Sequence, residues 1–96
     1  MSRVLVYLCS EPVIIVGDEM IALTKQQAQI ADVLSRARGE WVEAEKIIGH
    51  CWQPDDEPGQ PEKVIAVQIV HIRKKIENRG VLIESRYRGD YRMVAS

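Results

Sequence analysis

Residues 62–78 read EKVIAVQIVHIRKKIEN, the most regularly patterned segment of the chain. Ile65, Ile69, Ile72 and Ile76 recur every three or four residues, so they share one side of an α-helix. The polar side chains fall outside this apolar stripe, namely Lys63, Gln68, His71, Lys74, Lys75 and Asn78. The pattern predicts a helix with one side in the core and the other toward solvent or a ligand. Asn78-Arg79-Gly80 is predicted to end it.

Two further helices are predicted upstream. Thr24 and Gln27 have the spacing of a capping box, and the apolar periodicity behind them predicts a helix that extends to about Arg38 and ends at Gly39. Residues 43–51 form the second predicted helix, with acidic side chains in its first turn, where the helix dipole stabilises them. The three prolines and three consecutive acids of residues 53–61 predict a loop.

Short β-strands are predicted near both ends of the chain. β-branched and aromatic side chains predict a three-stranded sheet at the start and a hairpin with a basic tip at the end, with strands at 3–8, 12–16, 20–23, 81–85 and 91–94. Between the first two helices, Glu40-Trp41-Val42 is long enough only for a connector or a small strand, and Trp41 is expected to pack in the core against the first helix.

These elements predict a single α+β domain with the element order of a winged helix-turn-helix. It would consist of a small N-terminal antiparallel sheet (1–23), a three-helix core (24–79) and a C-terminal β-hairpin wing (80–96). A helix of about 17 residues spans roughly 25 Å, and the major groove of DNA, about 12 Å wide, admits one helix. The fold class therefore predicts that the third helix can enter that groove.

Charge is distributed unevenly along a chain that is nearly neutral overall. The 96 residues carry a formal net charge of −1, which excludes a uniformly basic coat. Residues 1–62 hold five lysines and arginines against eleven acids, whereas residues 63–96 hold eight against three. A cationic third on a neutral protein favours a polyanionic partner, and a solvated, salt-bridged surface is the alternative that charge alone leaves open.

The composition also excludes several classes of protein. A hydrophobic content of 46% with 28% charged residues is that of a folded domain, and no apolar run approaches the length of a membrane span or a signal peptide. Cys9 and Cys51 form no CxxC motif, and with His50 and His71 they match no zinc pattern, so we expect a cytoplasmic protein without a metal or other cofactor. No catalytic motif is present, and we expect no enzyme activity.

Several segments of the chain resemble one known family. Residues 67–76, VQIVHIRKKI, resemble the recognition-helix signature Val-His-Ile-x-x-Leu-Arg-Lys-Lys-Leu of the effector domains of OmpR/PhoB-type response regulators. Leu23-Thr24 resembles the opening of that family's first helix, and residues 39–52 resemble its Gly-x-Val-Val…Trp segment. Residues 83–93 resemble its wing, and residues 57–65 are similar to the CtrA-like branch.

The resemblance implies sequence-specific binding of double-stranded DNA for transcriptional regulation. It places a recognition helix at about 62–78 in the major groove and the wing, 85–92, on the minor groove or backbone. Gln68 and His71 would contact base edges. The other implied DNA contacts are Lys63, Arg73, Lys74, Lys75, Trp52, Ser85, Arg86, Arg88 and Tyr91.

The resemblance also bears on regulation and partners. The sequence contains no receiver domain, so we expect a stand-alone protein whose activity depends on abundance, partner binding or oligomerisation. The expected partners besides DNA are RNA polymerase, through the loop 53–61, and a second copy of the chain as a homodimer on DNA.

The chain departs from the family pattern at three places. Val70 stands where a polar or basic residue is common, and the wing glycine is shifted, so that the wing reads Arg86-Tyr87-Arg88-Gly89-Asp90-Tyr91. Glu43-Ala44 stands where the family has Ser-Arg at the start of the second helix, and this acidic start keeps another class of function open. The alternative is therefore a winged-helix interaction module that binds RNA polymerase or another regulator with weak or no DNA binding.

Overall fold

The computed structural model describes residues 4–86 and 89–95, and it confirms the predicted order of elements. The strands of the N-terminal sheet are β1 (Val4–Tyr7), β2 (Val13–Val16) and β3 (Glu19–Ala22). The helices are α1 (Lys25–Arg36), α2 (Ala44–Cys51) and α3 (Pro61–Ile76), and the wing hairpin consists of β4 (Val81–Ser85) and β5 (Tyr91–Ala95). Arg3, predicted to begin the first strand, and Arg88, at the predicted wing tip, lie outside the described residues.

Helix α1 occupies the centre of the fold because it packs against β1, β2, α2, α3 and β5. Its N-terminus is closed by the predicted capping box: the Gln27 backbone N–H donates to Thr24 Oγ1 at 3.2 Å, and the Thr24 backbone N–H donates to Gln27 Oε1 at 3.1 Å. Two of the backbone donors at the helix start are thereby satisfied by side chains. The capping box fixes the point at which the chain leaves β3 and enters the helical core.

The isoleucine stripe of α3 supplies the other half of the core. Ile65, Ile69, Ile72 and Ile76 are all at most 1% exposed, as the spacing predicted. After Ile76 the chain leaves the helix through Asn78, whose backbone φ of 62° lies in the left-handed region that Asn and Gly tolerate best. Helix α3 is thus held along its whole length with one fixed side against the rest of the domain.

The N-terminal sheet is antiparallel in the order β1-β2-β3. Alternation along β2 places Ile14 and Val16 in the core, whereas Leu5, Ile15 and Met20 face each other across the three strands on the outer side. The wing is a separate two-stranded sheet, and one backbone bridge joins it to the connector between α1 and α2: Val42 and Tyr91 exchange backbone hydrogen bonds of 2.7 and 3.0 Å. The segment around Val42 is thus a connector with one sheet bridge.

The region between α2 and α3 differs from the predicted loop at both of its ends. Residues Pro54–Asp56 form a turn of 3₁₀-helix, and α3 begins at Pro61, one residue before the predicted start. Proline is well suited to the first helical position because its fixed φ matches the helix and its missing N–H would have no partner there. Among the described residues, no helix is long and apolar enough to cross a membrane.

The capping box gives a direct test of how the start of α1 contributes to stability. Replacing Thr24 with Ala removes the hydroxyl that accepts the Gln27 amide, and we expect a loss of about 1 kcal/mol in the free energy of unfolding. Thr24→Ser keeps the acceptor and is expected to stay close to the wild-type value. Urea denaturation followed by circular dichroism measures both; equal losses in the two variants would contradict the assignment.

Candidate nucleic-acid interface

The side of α3 opposite the isoleucines carries a second stripe, which is exposed. It consists of Lys63, Val67, Val70 and Lys74, spaced by four, three and four residues like the buried stripe. We call these four residues the outward stripe. His71 is also exposed and lies beside it. Helix α3 has 16 residues and is therefore about 24 Å long, so the outward stripe presents a straight ridge with a lysine toward each end.

One flank of α3 faces α1 and holds two residues that the sequence predicted to contact DNA. Gln27 Nε2 donates to Gln68 Oε1 at 3.1 Å, and Lys75 Nζ donates to Gln27 Oε1 at 2.7 Å and to the Ala22 carbonyl at 3.1 Å. Gln68 and Lys75 are both half-buried. The carbonyl oxygen of Gln68 and the ammonium group of Lys75 are thus engaged inside the protein, and neither residue belongs to the outward stripe.

The same contacts give Gln27 a role that the sequence did not reveal. Its side-chain oxygen accepts from both the Thr24 backbone and Lys75, while its amide nitrogen donates to Gln68, so one buried side chain joins the start of α1 to α3. The capping-box spacing predicts only the hydrogen bonds between Thr24 and Gln27. The two contacts with α3 come from residues more than 40 positions away, and no short-range spacing indicates them.

The other flank of α3 faces the wing. Arg73 Nε donates to the carbonyl of Ile83 in β4 at 3.0 Å, which ties the helix to the hairpin. Tyr91, at the start of β5, is buried, so its ring belongs to the core although the resemblance implied a phosphate contact. Burial raises the pKa of the Tyr91 phenol, and the nearby positive charge of Arg73 partly offsets that rise. Both residues therefore position the wing relative to α3.

The base of the wing is built around Trp41. The guanidinium carbons of Arg86 and Arg92 lie 4.2 and 4.5 Å from the Trp41 ring centroid, within the range of cation–π attraction. Each arginine is also ion-paired: Arg86 with Asp90 and Arg92 with Glu84, both at 2.6 Å. The expectation that Trp41 packs in the core against the first helix is corrected, because its half-buried ring holds the wing arginines instead.

The remaining predicted DNA contacts stand at element ends. Ser85 is exposed at the end of β4, and the guanidinium of Arg86 next to it remains partly exposed despite its two partners. Trp52 follows α2 as its C-cap residue, where its backbone N–H donates to the Ile48 carbonyl, and its half-buried side chain packs against the core. Arg88 lies outside the described residues.

Helix α2 begins with acidic side chains that make no cap. Glu43 is the N-cap residue without a side-chain hydrogen bond to the helix, and both Glu43 and Glu45 are exposed. The buried carboxylate Asp32 on α1 holds α2 in place: its oxygens lie 3.1 Å from Arg36 Nε and 3.3 Å from His50 Nε2. The start of α2 is therefore negatively charged and stays available to solvent.

The described residues offer no metal site, and the Cys51 thiol among them is unreactive. Residues 4–86 and 89–95 contain no group of three or more histidines, cysteines or acids that could hold a metal ion. Burial raises the pKa of the Cys51 thiol to about 11, so this thiol is neutral at pH 7 and is neither a nucleophile nor a ready ligand. The chemistry that the surface of α3 offers is binding through ammonium, imidazole and apolar groups.

Comparison with known proteins agrees with this geometry. A family model described as "Transcriptional regulatory protein, C terminal" matches residues 17–93, which include β3, all three helices, β4 and most of β5. No curated protein matches the chain.

Substitutions of Trp41 test whether its aromatic ring stabilises the base of the wing by cation–π attraction or only by filling space. We expect Trp41→Leu to lower the free energy of unfolding by about 1–2 kcal/mol, because two cation–π contacts are lost together. Trp41→Phe keeps an aromatic face for both guanidinium groups and is expected to lose less than half of that. Chemical denaturation followed by far-UV circular dichroism distinguishes the two; a Phe variant as unstable as the Leu variant would refute the cation–π role.

Proposed function

The chain belongs to the family of OmpR/PhoB-type C-terminal effector domains of transcriptional regulators, and from this membership we propose that it binds double-stranded DNA sequence-specifically through α3. The family is one of DNA-binding regulatory domains rather than enzymes. Our proposal adds the mode of binding: α3 lies in the major groove and the wing lies on the neighbouring minor groove or backbone. The observation that carries it is the outward stripe, which is the one side of α3 turned away from the core.

The size and charge of the outward stripe support a place in the major groove. Lys63 and Lys74 are separated by eleven residues, or about 16.5 Å along the helix axis. A helix that lies across a groove about 12 Å wide can therefore bring its two lysines near phosphates on opposite strands. His71, exposed beside the stripe, can donate to a base edge or to a phosphate. Such an arrangement combines backbone positioning at the ends with base contacts in the middle.

The wing supports the proposal through its attachment to α3. Arg73 ties α3 to β4, and the contacts of Trp41 with Arg86 and Arg92 fix the base of the hairpin. Ser85 and Arg86 are exposed on this hairpin. Since these contacts are made within the protein, the wing is pre-organised with respect to the helix, and DNA binding need not order it. We propose that Arg86 and Ser85 contact the backbone beside the groove that α3 enters.

A second candidate function follows from the acidic side chains of α2 and the loop after it. Glu43 and Glu45 are exposed at the start of α2, and Asp55, Asp56 and Glu57 are exposed in the loop. These groups repel phosphates and are suited to a basic protein surface. We propose the loop 53–61 as the contact with RNA polymerase. A domain in which this contact is the main function, with weak or no DNA binding, remains the alternative to the DNA-binding proposal.

The salt dependence of binding tests whether DNA phosphates are contacted. Contacts with about three to five phosphates give a slope of roughly −3 to −4.5 in a plot of log association constant against log salt concentration. We expect Lys74→Ala to weaken binding to every duplex alike and to reduce the slope by about one. Fluorescence anisotropy with random and selected duplexes measures both, and the stoichiometry at saturation shows whether a homodimer binds.

Lys25→Ala is the matched control, because Lys25 is an exposed lysine at the start of α1, outside α3 and the wing. It is expected to bind like the wild type. An absence of binding at low salt would reject the DNA-binding proposal and favour the interaction module.

Base readout by α3 has a separate signature. We expect His71→Ala to relax the preference at particular base pairs while leaving binding to random duplexes nearly unchanged, since a base contact affects only sequences that offer the right edge. Gln68→Ala is expected to behave similarly, although to a smaller extent, because its carbonyl oxygen is held by Gln27. Selection of bound duplexes from a random pool, carried out with each variant, measures the base preference at every position. Equal losses on all sequences would contradict base readout.

A further inference from the structure

The centre of the outward stripe is apolar. Val67 and Val70 are 52% and 48% exposed, although valine is a residue that proteins usually bury. Other large apolar residues are exposed in the N-terminal sheet, among them Leu5, Tyr7 and Met20, but on α3 these two valines are the exposed ones. They sit between Lys63 and Lys74, where a helix in a groove would be closest to the bases.

We propose that Val67 and Val70 contact the C5-methyl groups of pyrimidines in the major groove and so determine part of the sequence preference. The inference rests on the proposed function, since it assumes that α3 enters that groove. Valine has no donor or acceptor, so it offers no hydrogen bond to a base edge. Thymine is the base that presents a methyl group on the floor of the major groove, and apolar side chains are suited to it.

The spacing of the two valines matches neighbouring base pairs. Three residues separate them, so their Cα atoms differ by about 4.5 Å along the helix axis, compared with about 3.4 Å between successive bases of one strand. Two methyl groups on adjacent or next-adjacent base pairs are therefore within reach of the two side chains. Because valine is nearly fixed at χ1 in a helix, the side chain loses little conformational entropy when it contacts the methyl group.

The alternative for an exposed valine pair is an inert surface. Isolated apolar residues are common on protein surfaces and need no explanation by themselves. What distinguishes Val67 and Val70 is their place: both lie on the line between two exposed lysines and directly opposite the buried isoleucines. A hydrogen-bonding or basic side chain at Val70 would read donors and acceptors or bind phosphate. Valine can do neither, so the feature of a base pair that it can recognise is the C5-methyl group of the base.

The experiment uses the full chain and a duplex selected from a random pool, in which each thymine is replaced in turn by uracil. This change removes only the methyl group, and burial of one methyl-sized group corresponds to about a fourfold change in the dissociation constant. We expect a fourfold loss at one or two positions of the selected duplex and none elsewhere. At the same positions, a C·G pair and a 5-methylcytosine·G pair are compared. A fourfold gain on methylation shows that the methyl group is read on either base, whereas no gain assigns the contact to thymine.

The protein side is tested by combining each DNA change with Val67→Ala or Val70→Ala. Alanine favours helix, so both variants should fold, and circular dichroism confirms it. If a valine contacts the methyl group, its alanine variant binds the thymine and uracil duplexes with less than a twofold difference, and the two changes are non-additive. Met20→Ala, which shortens an exposed apolar side chain on the outer side of the sheet, is the control and should keep the fourfold difference.

The outcomes separate this inference from the function on which it rests. Binding with the expected salt slope but without any uracil effect overturns the role of the valines and leaves DNA binding intact. A uracil effect that persists unchanged in both alanine variants also overturns it, because another group then reads the methyl. No binding to any duplex at low salt rejects the proposed function and this inference together.

Discussion

Burial of the four isoleucines of α3 is the constraint on which the rest of the molecule depends. With Ile65, Ile69, Ile72 and Ile76 all nearly inaccessible, the helix has one permitted rotation about its axis. Each fully buried side chain of this size contributes about 2–3 kcal/mol, so turning the four outward would cost about 8–12 kcal/mol, which is comparable to the whole stability of a small domain. The identity of the outward side chains is therefore set by the core.

The flanks of α3 refine that orientation. Gln27 holds one side through Gln68 and Lys75, and the Ile83 carbonyl holds the other through Arg73. Three polar side chains of α3 that a helical wheel places off the core stripe thus make contacts within the protein. They fix the helix to α1 on one side and to the wing on the other, so the part of α3 that can contact a partner is the outward stripe with His71 beside it.

The elements of the fold were predictable because their signals are local. The isoleucine spacing, the Thr24–Gln27 capping box and the break at Asn78 each act within a few residues, and each is present in the structure. The prolines and acids of residues 53–61 predict a loop that includes Pro61, but in the structure Pro61 is the first residue of α3, a position at which proline is favourable. The Thr24–Gln27 spacing is thus typical of a helix start alone, whereas a proline is compatible with either a loop or the first position of a helix.

The site was less predictable because it depends on contacts between distant parts of the chain. The periodicity of α3 shows that Lys75 lies off the core stripe, but not that Gln27 and the Ala22 carbonyl lie within reach of its ammonium group. Trp41 was expected in the core because tryptophan is usually buried there. Its actual partners are two arginines of the wing, Arg86 and Arg92, which the sequence separates from it by more than 40 residues.

These contacts also show how the positive charge of residues 63–96 is used in the folded protein. Of its eight lysines and arginines, five are engaged within the protein: Arg73, Lys75, Arg79, Arg86 and Arg92. Most of the positive charge that suggested a polyanionic partner is thus also engaged in contacts within the protein, where it holds α3 and the wing in place while still contributing to the electrostatic field of this surface. Attraction by such a field is the same for every sequence. In the binding mode that we propose, discrimination between sequences therefore falls to the central part of α3, where His71, Val67 and Val70 are exposed.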